Sequence, residues 1–146
     1  VGRGITGVAA SPMVSPAQKS VADQLLKAVG RVEWLESEGL IDAVTALSGS
    51  GPAYVFYLAE CMARAGAAMG LPADVAARMA RATVEGAGEL MFQEAATDPG
   101  QLRVNVTSPG GTTAAALAVL MATDGLDPLM LKAIAAARRR AEELAG

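Results

Sequence analysis

The chain has 146 residues, 52% of them apolar but only 3% aromatic, with 32 alanines, one cysteine and no histidine. A lone Cys61 excludes an intrachain disulfide scaffold, and the missing histidine excludes His-ligated metal sites, Ser-His-Asp triads and Cys-His dyads. Twelve basic against 15 acidic residues (net charge −3, pI near 4.9) argue against nucleic acid as a partner, and 18% charged residues with a mean hydropathy of +0.34 argue against disorder.

In chain order, Gly4 to Ala10 reads as a short strand bounded by glycines. Ser15-Pro16 is a helix start, a cap followed by proline at the first helical position, and Val21, Leu25, Leu26 and Val29 keep helical spacing up to Gly30. Arg31 to Leu35 alternates as a second strand. Residues 1–37 therefore form a β-α-β piece, a unit that normally belongs to a larger parallel sheet.

From residue 38 onward, to 146, the pattern is helical. The expected helices are Leu40 to Leu47, Pro52 to Met69, Ala73 to Ala96, Thr97 to Val104, Gly110 to Thr123 and Leu129 to Leu144, with Asp127-Pro128 capping the last. The fold class is mainly α. The longest charge-free stretch, Val104 to Thr123, opens with a polar turn and keeps only about ten continuously apolar residues, short of the ~20 that a membrane span requires. No basic-then-apolar leader and no initiator Met stands at Val1, so the expectation is a soluble, cytoplasmic chain, processed or cut from something longer.

Small residues line the helix faces: Ala63, Ala67 and Gly70 on one, Ala114, Ala118 and Ala122 on another. They allow close backbone approach but bury little area each. Either the helices form a small bundle with its own core, or they interleave with a second copy; the excess apolar surface favours the second.

Two glycine-rich turns carry the chemistry. Ser48-Gly49-Ser50-Gly51-Pro52 is no dinucleotide fingerprint, because Tyr54 stands where the third glycine belongs and a helix precedes it. It is either a helix-helix corner, with Gly49 ending one helix and Pro52 starting the next, or a turn presenting backbone N–H groups and two hydroxyls to a ligand. Val106 to Thr113 is more specific. Ser108 is expected to cap a helix whose first turn holds Gly110, Gly111, Thr112 and Thr113. Early helix N–H groups lack internal partners and favour an anion, and glycines let it approach the backbone. With no lysine in the turn and Arg103 the nearest cation in sequence, a carboxylate suits it better than a phosphate. Asp42, Glu60 and Glu85 read as solvated or capping carboxylates, Trp34 as core of the β-α-β piece, Cys61 as a small buried hydrophobe and the methionines as gap-fillers.

Asp42-Ala43-Val44-Thr45-Ala46-Leu47-Ser48-Gly49-Ser50-Gly51-Pro52-Ala53-Tyr54, followed by Pro99-x-x-Leu102-x-x-x-Val106-Thr107-Ser108-Pro109-Gly110-Gly111-Thr112-Thr113-x-x-Ala116-Leu117, resembles pyrroline-5-carboxylate reductase. The second stretch corresponds to that family's signature, and Gly2 to Gly7 resembles the end of its Rossmann domain. Met121 departs from the acidic residue usual there, and Val104-Asn105 from an Asp-containing pair. Against the family's pattern, only the final β-α-β piece of the dinucleotide-binding domain is expected within this sequence. The resemblance implies a helical dimerisation domain of the 6-phosphogluconate-dehydrogenase C-terminal-like type over 38–146, behind a Rossmann remnant over 1–37.

It also implies the reaction: reduction of 1-pyrroline-5-carboxylate to L-proline with NADPH or NADH, the last step of proline biosynthesis. An iminium is already activated, so the main need is orientation and a route for one proton, which requires no histidine and no metal. By the resemblance, Val106, Ser108, Gly110, Gly111, Thr112 and Thr113 bind substrate, with N–H groups of Gly111, Thr112 and Thr113 on the carboxylate and the Val106 carbonyl near the ring nitrogen. Thr113 is the catalytic residue, as proton donor or as orienting group. Ser48, Gly49, Ser50 and Gly51 line the nicotinamide side. The implied partner is a second copy, possibly in a higher oligomer, and the 146 residues alone are expected to be inactive. A non-catalytic helical dimerisation module lacking a cofactor domain is the alternative. Another β-hydroxyacid-dehydrogenase-like helical domain is weaker, since Lys27 and Lys132 lie outside the motif helices.

Overall fold

The computed structural model describes residues 2–146, which divide by internal packing into two compact units, 2–51 with Lys132–Gly146, and Pro52–Leu131. The first unit opens with β1 (Gly4–Ala9), α1 (Pro16–Lys27) and β2 (Gly30–Leu35). The two strands pair in parallel, from Gly4 opposite Gly30 to Ala9 opposite Leu35, and α1 is the crossover that a parallel pair needs. Ser15 and Gln18 build a capping box: the Ser15 hydroxyl accepts from the Gln18 N–H at 3.3 Å, and Gln18 Oε1 accepts from the Ser15 N–H at 2.9 Å. A Cβ at Gly30 would lie 2.7 Å from the Gly4 carbonyl carbon, so the strand pairing itself requires glycine there.

A polar staple ties α1 to β2. The Trp34 indole N–H donates to Asp23 Oδ1 at 3.0 Å, Lys27 Nζ pairs with Asp23 Oδ2 at 2.6 Å, and Lys19 Nζ lies 4.3 Å from the Trp34 ring centroid. Trp34 is half-buried rather than sealed in a core, because its polar edge serves this cluster. Beyond β2 come a 3₁₀ turn (Glu38–Leu40), α2 (Ile41–Val44) and a π-helical turn (Thr45–Gly49). Val44 packs on Gly7, where a Cβ would come within 2.9 Å of Val44 Cγ1. Ala46 is fully buried.

The second unit holds α3 (Gly51–Ala68) from its second residue, α4 (Ala73–Gln93), α5 (Pro99–Asn105), α6 (Thr112–Leu120) and the start of α7 (Leu126–Ala145). α3 ends in a Schellman motif. Gly70 has φ +101, its N–H donates to the Ala67 carbonyl at 3.0 Å, the Leu71 N–H donates to the Gly66 carbonyl at 3.2 Å, and Pro72 follows. Gly66 then meets α4 closely: a Cβ on it would lie 3.3 Å from the Ala76 Cβ. Asp98 caps α5, accepting from the Gly100 N–H at 2.8 Å.

Boundaries differ from the sequence expectation at several ends, and α6 for one stops at Leu120 rather than Thr123, where Met121 leaves helical geometry (φ −97, ψ 6). α4 stops at Gln93 because Glu94 leaves helical geometry (φ −97, ψ 43). α6 begins at Thr112 rather than Gly110. α7 begins at Leu126, so Asp127 and Pro128 sit inside its first turn, where a missing proline N–H costs nothing.

Among the described residues the buried apolar side chains are Ala46, Ala76 and Ala80, all alanine. Large apolar groups are left in water: Phe56 is 67% exposed, Val119 72% and Leu131 72%. No helix is long and apolar enough to cross a membrane, among the described residues.

Hydrogen bonds from Lys27 and then Trp34 hold the Asp23 carboxyl below its usual value. A depressed folded-state pKa contributes stability above the unfolded pKa, and that contribution is lost as pH falls through the folded one. Thermal unfolding of wild type against Asp23→Asn should therefore differ at neutral pH, and the difference should shrink as pH falls below the ordinary carboxylate range and through the depressed one. A difference independent of pH would assign the staple to shape rather than charge.

Candidate functional site

The turn between α5 and α6 is built from two linked devices. The first is a β-turn over Ser108-Pro109-Gly110-Gly111: the Gly111 N–H donates to the Ser108 carbonyl at 3.1 Å, and Gly110 has φ +69. Proline second and a positive-φ glycine third is the type II pattern. Gly111 (φ −79, ψ 176) is the residue that caps α6, and no side chain does so. The expected N-cap role of Ser108 is corrected here, because the turn closes on the Ser108 carbonyl and the helix starts four residues later. The two glycines answer different demands: Gly110 takes a positive φ, and at Gly111 a Cβ would sit tightly, 3.2 Å from the Ser108 oxygen.

The second device is the open helix end. The first α6 bond formed is Ala115 N–H to the Gly111 carbonyl, at 3.1 Å. The N–H groups of Thr112, Thr113 and Ala114 therefore have no acceptor among the described residues. The Gly111 N–H, expected as a carboxylate donor, is committed to Ser108, and Ala114 supplies a donor that the sequence reading did not single out. The hydroxyls of Ser108, Thr112 and Thr113 are likewise unengaged among the described residues.

An acceptor faces outward from the same turn. α5 ends at Val106 (φ −101, ψ 10), and the Thr107 N–H donates to the Val104 carbonyl at 3.0 Å. The Thr107 hydroxyl donates to the Arg103 carbonyl at 2.6 Å. The Val106 carbonyl has no donor among the described residues. One short loop thus presents N–H donors, hydroxyls and a carbonyl acceptor, a set complementary to a small molecule with a carboxylate and an N–H. Arg103 directs Nη1 at Met121 Sδ, 3.1 Å away.

Ser48 to Gly51 belong to the first unit. Ser48 and Gly49 lie in the π turn, whose wide bond runs from the Ser50 N–H to the Thr45 carbonyl at 2.9 Å. Ser50 keeps helical geometry (φ −86, ψ −17) and α3 starts at the next residue. The helix-helix corner is corrected to a widened helical turn. Pro52 offers no N–H to the Ser48 carbonyl and its ring would crowd it, and one extra residue per turn relieves both. Neither glycine has positive φ; a Cβ at Gly51 meets nothing within 4 Å and at Gly49 only the Thr45 Cγ2 at 3.8 Å. The chain itself does not need glycine at either place, so the stretch has a bare backbone face.

A groove of about 390 Å³ runs between α3 and α4, walled by Val55, Phe56 and Ala59 on one side and Ala77 and Val84 on the other, with Arg81 beside them. The sequence reading did not single it out; Phe56 with Ala59 and Ala63 on one face was its available signal. Glu60 pairs with Arg64 at 3.4 Å and Glu85 with Arg81 at 3.9 Å. Cys61 is half-buried, its sulfur 3.2 Å from Arg64 Nη2. No group of His, Cys, Asp and Glu suited to a metal ion occurs among the described residues.

The family described as pyrroline-5-carboxylate reductase dimerisation matches residues 38–144. A pyrroline-5-carboxylate reductase of Pseudomonas aeruginosa is 45% identical over 143 residues, covering 98% of this chain and 52% of that protein. One from Synechocystis is 45% identical over 144 residues, covering 99% and 53%. A solved Coxiella burnetii pyrroline-5-carboxylate reductase superposes with a TM-score of 0.88 at 41% identity, covering 98% of this chain and 52% of that one. A Plasmodium falciparum pyrroline carboxylate reductase with NADP bound gives 0.77 at 27% identity, covering 99% and 54%. The chain spans about half the length of the curated relatives it matches.

The φ of Gly110 gives a stability test. A Cβ there meets nothing within 4 Å, so Gly110→Ala pays only backbone strain. Urea unfolding should show a loss of about 1–2 kcal/mol. An unchanged midpoint would mean that the turn is not closed in solution.

Proposed function

We propose that this chain, which belongs to the pyrroline-5-carboxylate reductase dimerisation family, is the substrate-binding and dimerising part of a cytoplasmic reductase that converts 1-pyrroline-5-carboxylate to L-proline with NADPH or NADH. Residues 38–146 are the helical domain, and 1–37 the end of a dinucleotide-binding domain. The 146 residues alone do not turn over.

The observation that carries this reading is the α5–α6 turn. The free N–H groups of Thr112, Thr113 and Ala114 suit the substrate carboxylate, helped by the positive end of α6. The free Val106 carbonyl suits the N–H of the iminium form and of the product L-proline. Holding both ends of the ring fixes which face of the C=N bond is open. The Thr113 hydroxyl, on the first turn of α6, orients the nitrogen or passes it the proton that makes the imine an iminium.

A bound nicotinamide would supply the hydride for the imine carbon, and one proton taken up at nitrogen would complete the amine. The bare backbone at Gly49 and Gly51 fits a flat ring laid against Ser48 to Gly51.

A second copy completes the fold in this proposal. It is supported by the apolar side chains left in water, by the α3–α4 groove, and by Gly86 and Gly88. These two glycines sit inside α4 with nothing of this chain within 4 Å of a Cβ, at about 1 kcal/mol each in helix propensity. Close approach of another helix gives them a reason.

Thr113→Ala in the full-length reductase should lower turnover roughly tenfold, the scale of one orienting or proton-transferring group. The check is steady-state NAD(P)H oxidation with 1-pyrroline-5-carboxylate. Unchanged kinetics would remove Thr113 from the mechanism, and failure of L-proline to bind would favour a non-catalytic helical module.

A further inference from the structure

We propose that Thr107 is a positioning residue that aims the Val106 carbonyl at the substrate nitrogen. The proposal rests on the reading of the α5–α6 turn as the imino-acid site. The Thr107 N–H and the Val106 C=O belong to one peptide unit, which is planar, with the two groups pointing in opposite directions. The N–H is held on the Val104 carbonyl at 3.0 Å, at the end of α5. The Val106 oxygen must then point away from that helix end. The Thr107 hydroxyl adds a shorter bond, 2.6 Å, to the Arg103 carbonyl, another of the C-terminal carbonyls that α5 leaves without an internal partner. Both donors of Thr107 are thereby spent on α5, and the peptide plane between them and the open carbonyl is fixed at two points. Without the hydroxyl bond the plane turns more freely, and the carbonyl loses its aim by the fraction of an ångström that matters in a near-attack geometry. Threonine at this position is thus set apart from its neighbours: Ser108, Thr112 and Thr113 have free hydroxyls, and that of Thr107 is consumed.

The test compares Thr107→Val, which keeps the shape and removes the hydroxyl, with Thr107→Ser, which keeps the hydroxyl, and Thr113→Ala, all in the full-length reductase. The readouts are KM for 1-pyrroline-5-carboxylate, kcat, KM for NAD(P)H and the dissociation constant of L-proline. Thr107→Val should raise the substrate KM and the proline dissociation constant about tenfold while leaving the NAD(P)H KM within about twofold. Thr107→Ser should restore both. A merely structural role would move melting temperature and both KM values together. If Thr113→Ala is impaired and Thr107→Val matches wild type, positioning by Thr107 is overturned while the site stands. If Thr113→Ala and Thr107→Val both match wild type, the site reading falls and the proposal falls with it.

Discussion

Apolar side chains left in water by a single copy set the terms for everything else in this molecule. Three alanines are buried among the described residues, and at about 0.8 kcal/mol per buried methyl-sized group they offset the ordering of only one or two residues. Half-buried side chains add more, but Phe56, Val119 and Leu131 contribute little while exposed. Each 100 Å² of such surface removed from water is worth roughly 2.5 kcal/mol. A partner copy is the source of that burial in the reading advanced here. Alanine-rich and glycine-containing helices then have a purpose: they hold few large groups for each other and permit close approach by another chain.

The site follows the same economy. It uses backbone groups rather than special side chains, so it can sit on short helices with no histidine and no metal. A type II turn spends one N–H and one φ-positive glycine to place a helix end, and the helix end then offers three N–H donors. The preceding helix end offers a carbonyl whose direction is set by the peptide plane next to it. Under the proposed hydride delivery to an imine, orientation of this kind is the main demand.

Much of this was legible in the sequence. The β-α-β piece, the helix start at Ser15-Pro16 and the parallel pairing follow from local signals, and the helical remainder from breakers such as Gly70 and Pro72. The α5–α6 turn stood out because Pro109-Gly110-Gly111 places a proline before two glycines. The hidden parts depend on backbone geometry that residue types do not encode. Ser108 looks like a helix cap, and only φ at Gly110 shows a turn closing before the helix. Ser48 to Pro52 looks like a corner, whereas a π turn absorbs the proline. Trp34 looks like core until its indole N–H is found on Asp23. Thr107 gives no sequence signal of its own, because its function lies in which carbonyl its hydroxyl reaches.

The most direct measurement is the concentration dependence of equilibrium urea unfolding of this chain, from about 1 to 100 µM, with mass determined in parallel. A fold completed by a second copy gains about 1.4 kcal/mol for each tenfold rise in concentration, so the midpoint should climb steadily and the folded mass should be that of a dimer. A folded monomer whose midpoint does not move with concentration would contradict it.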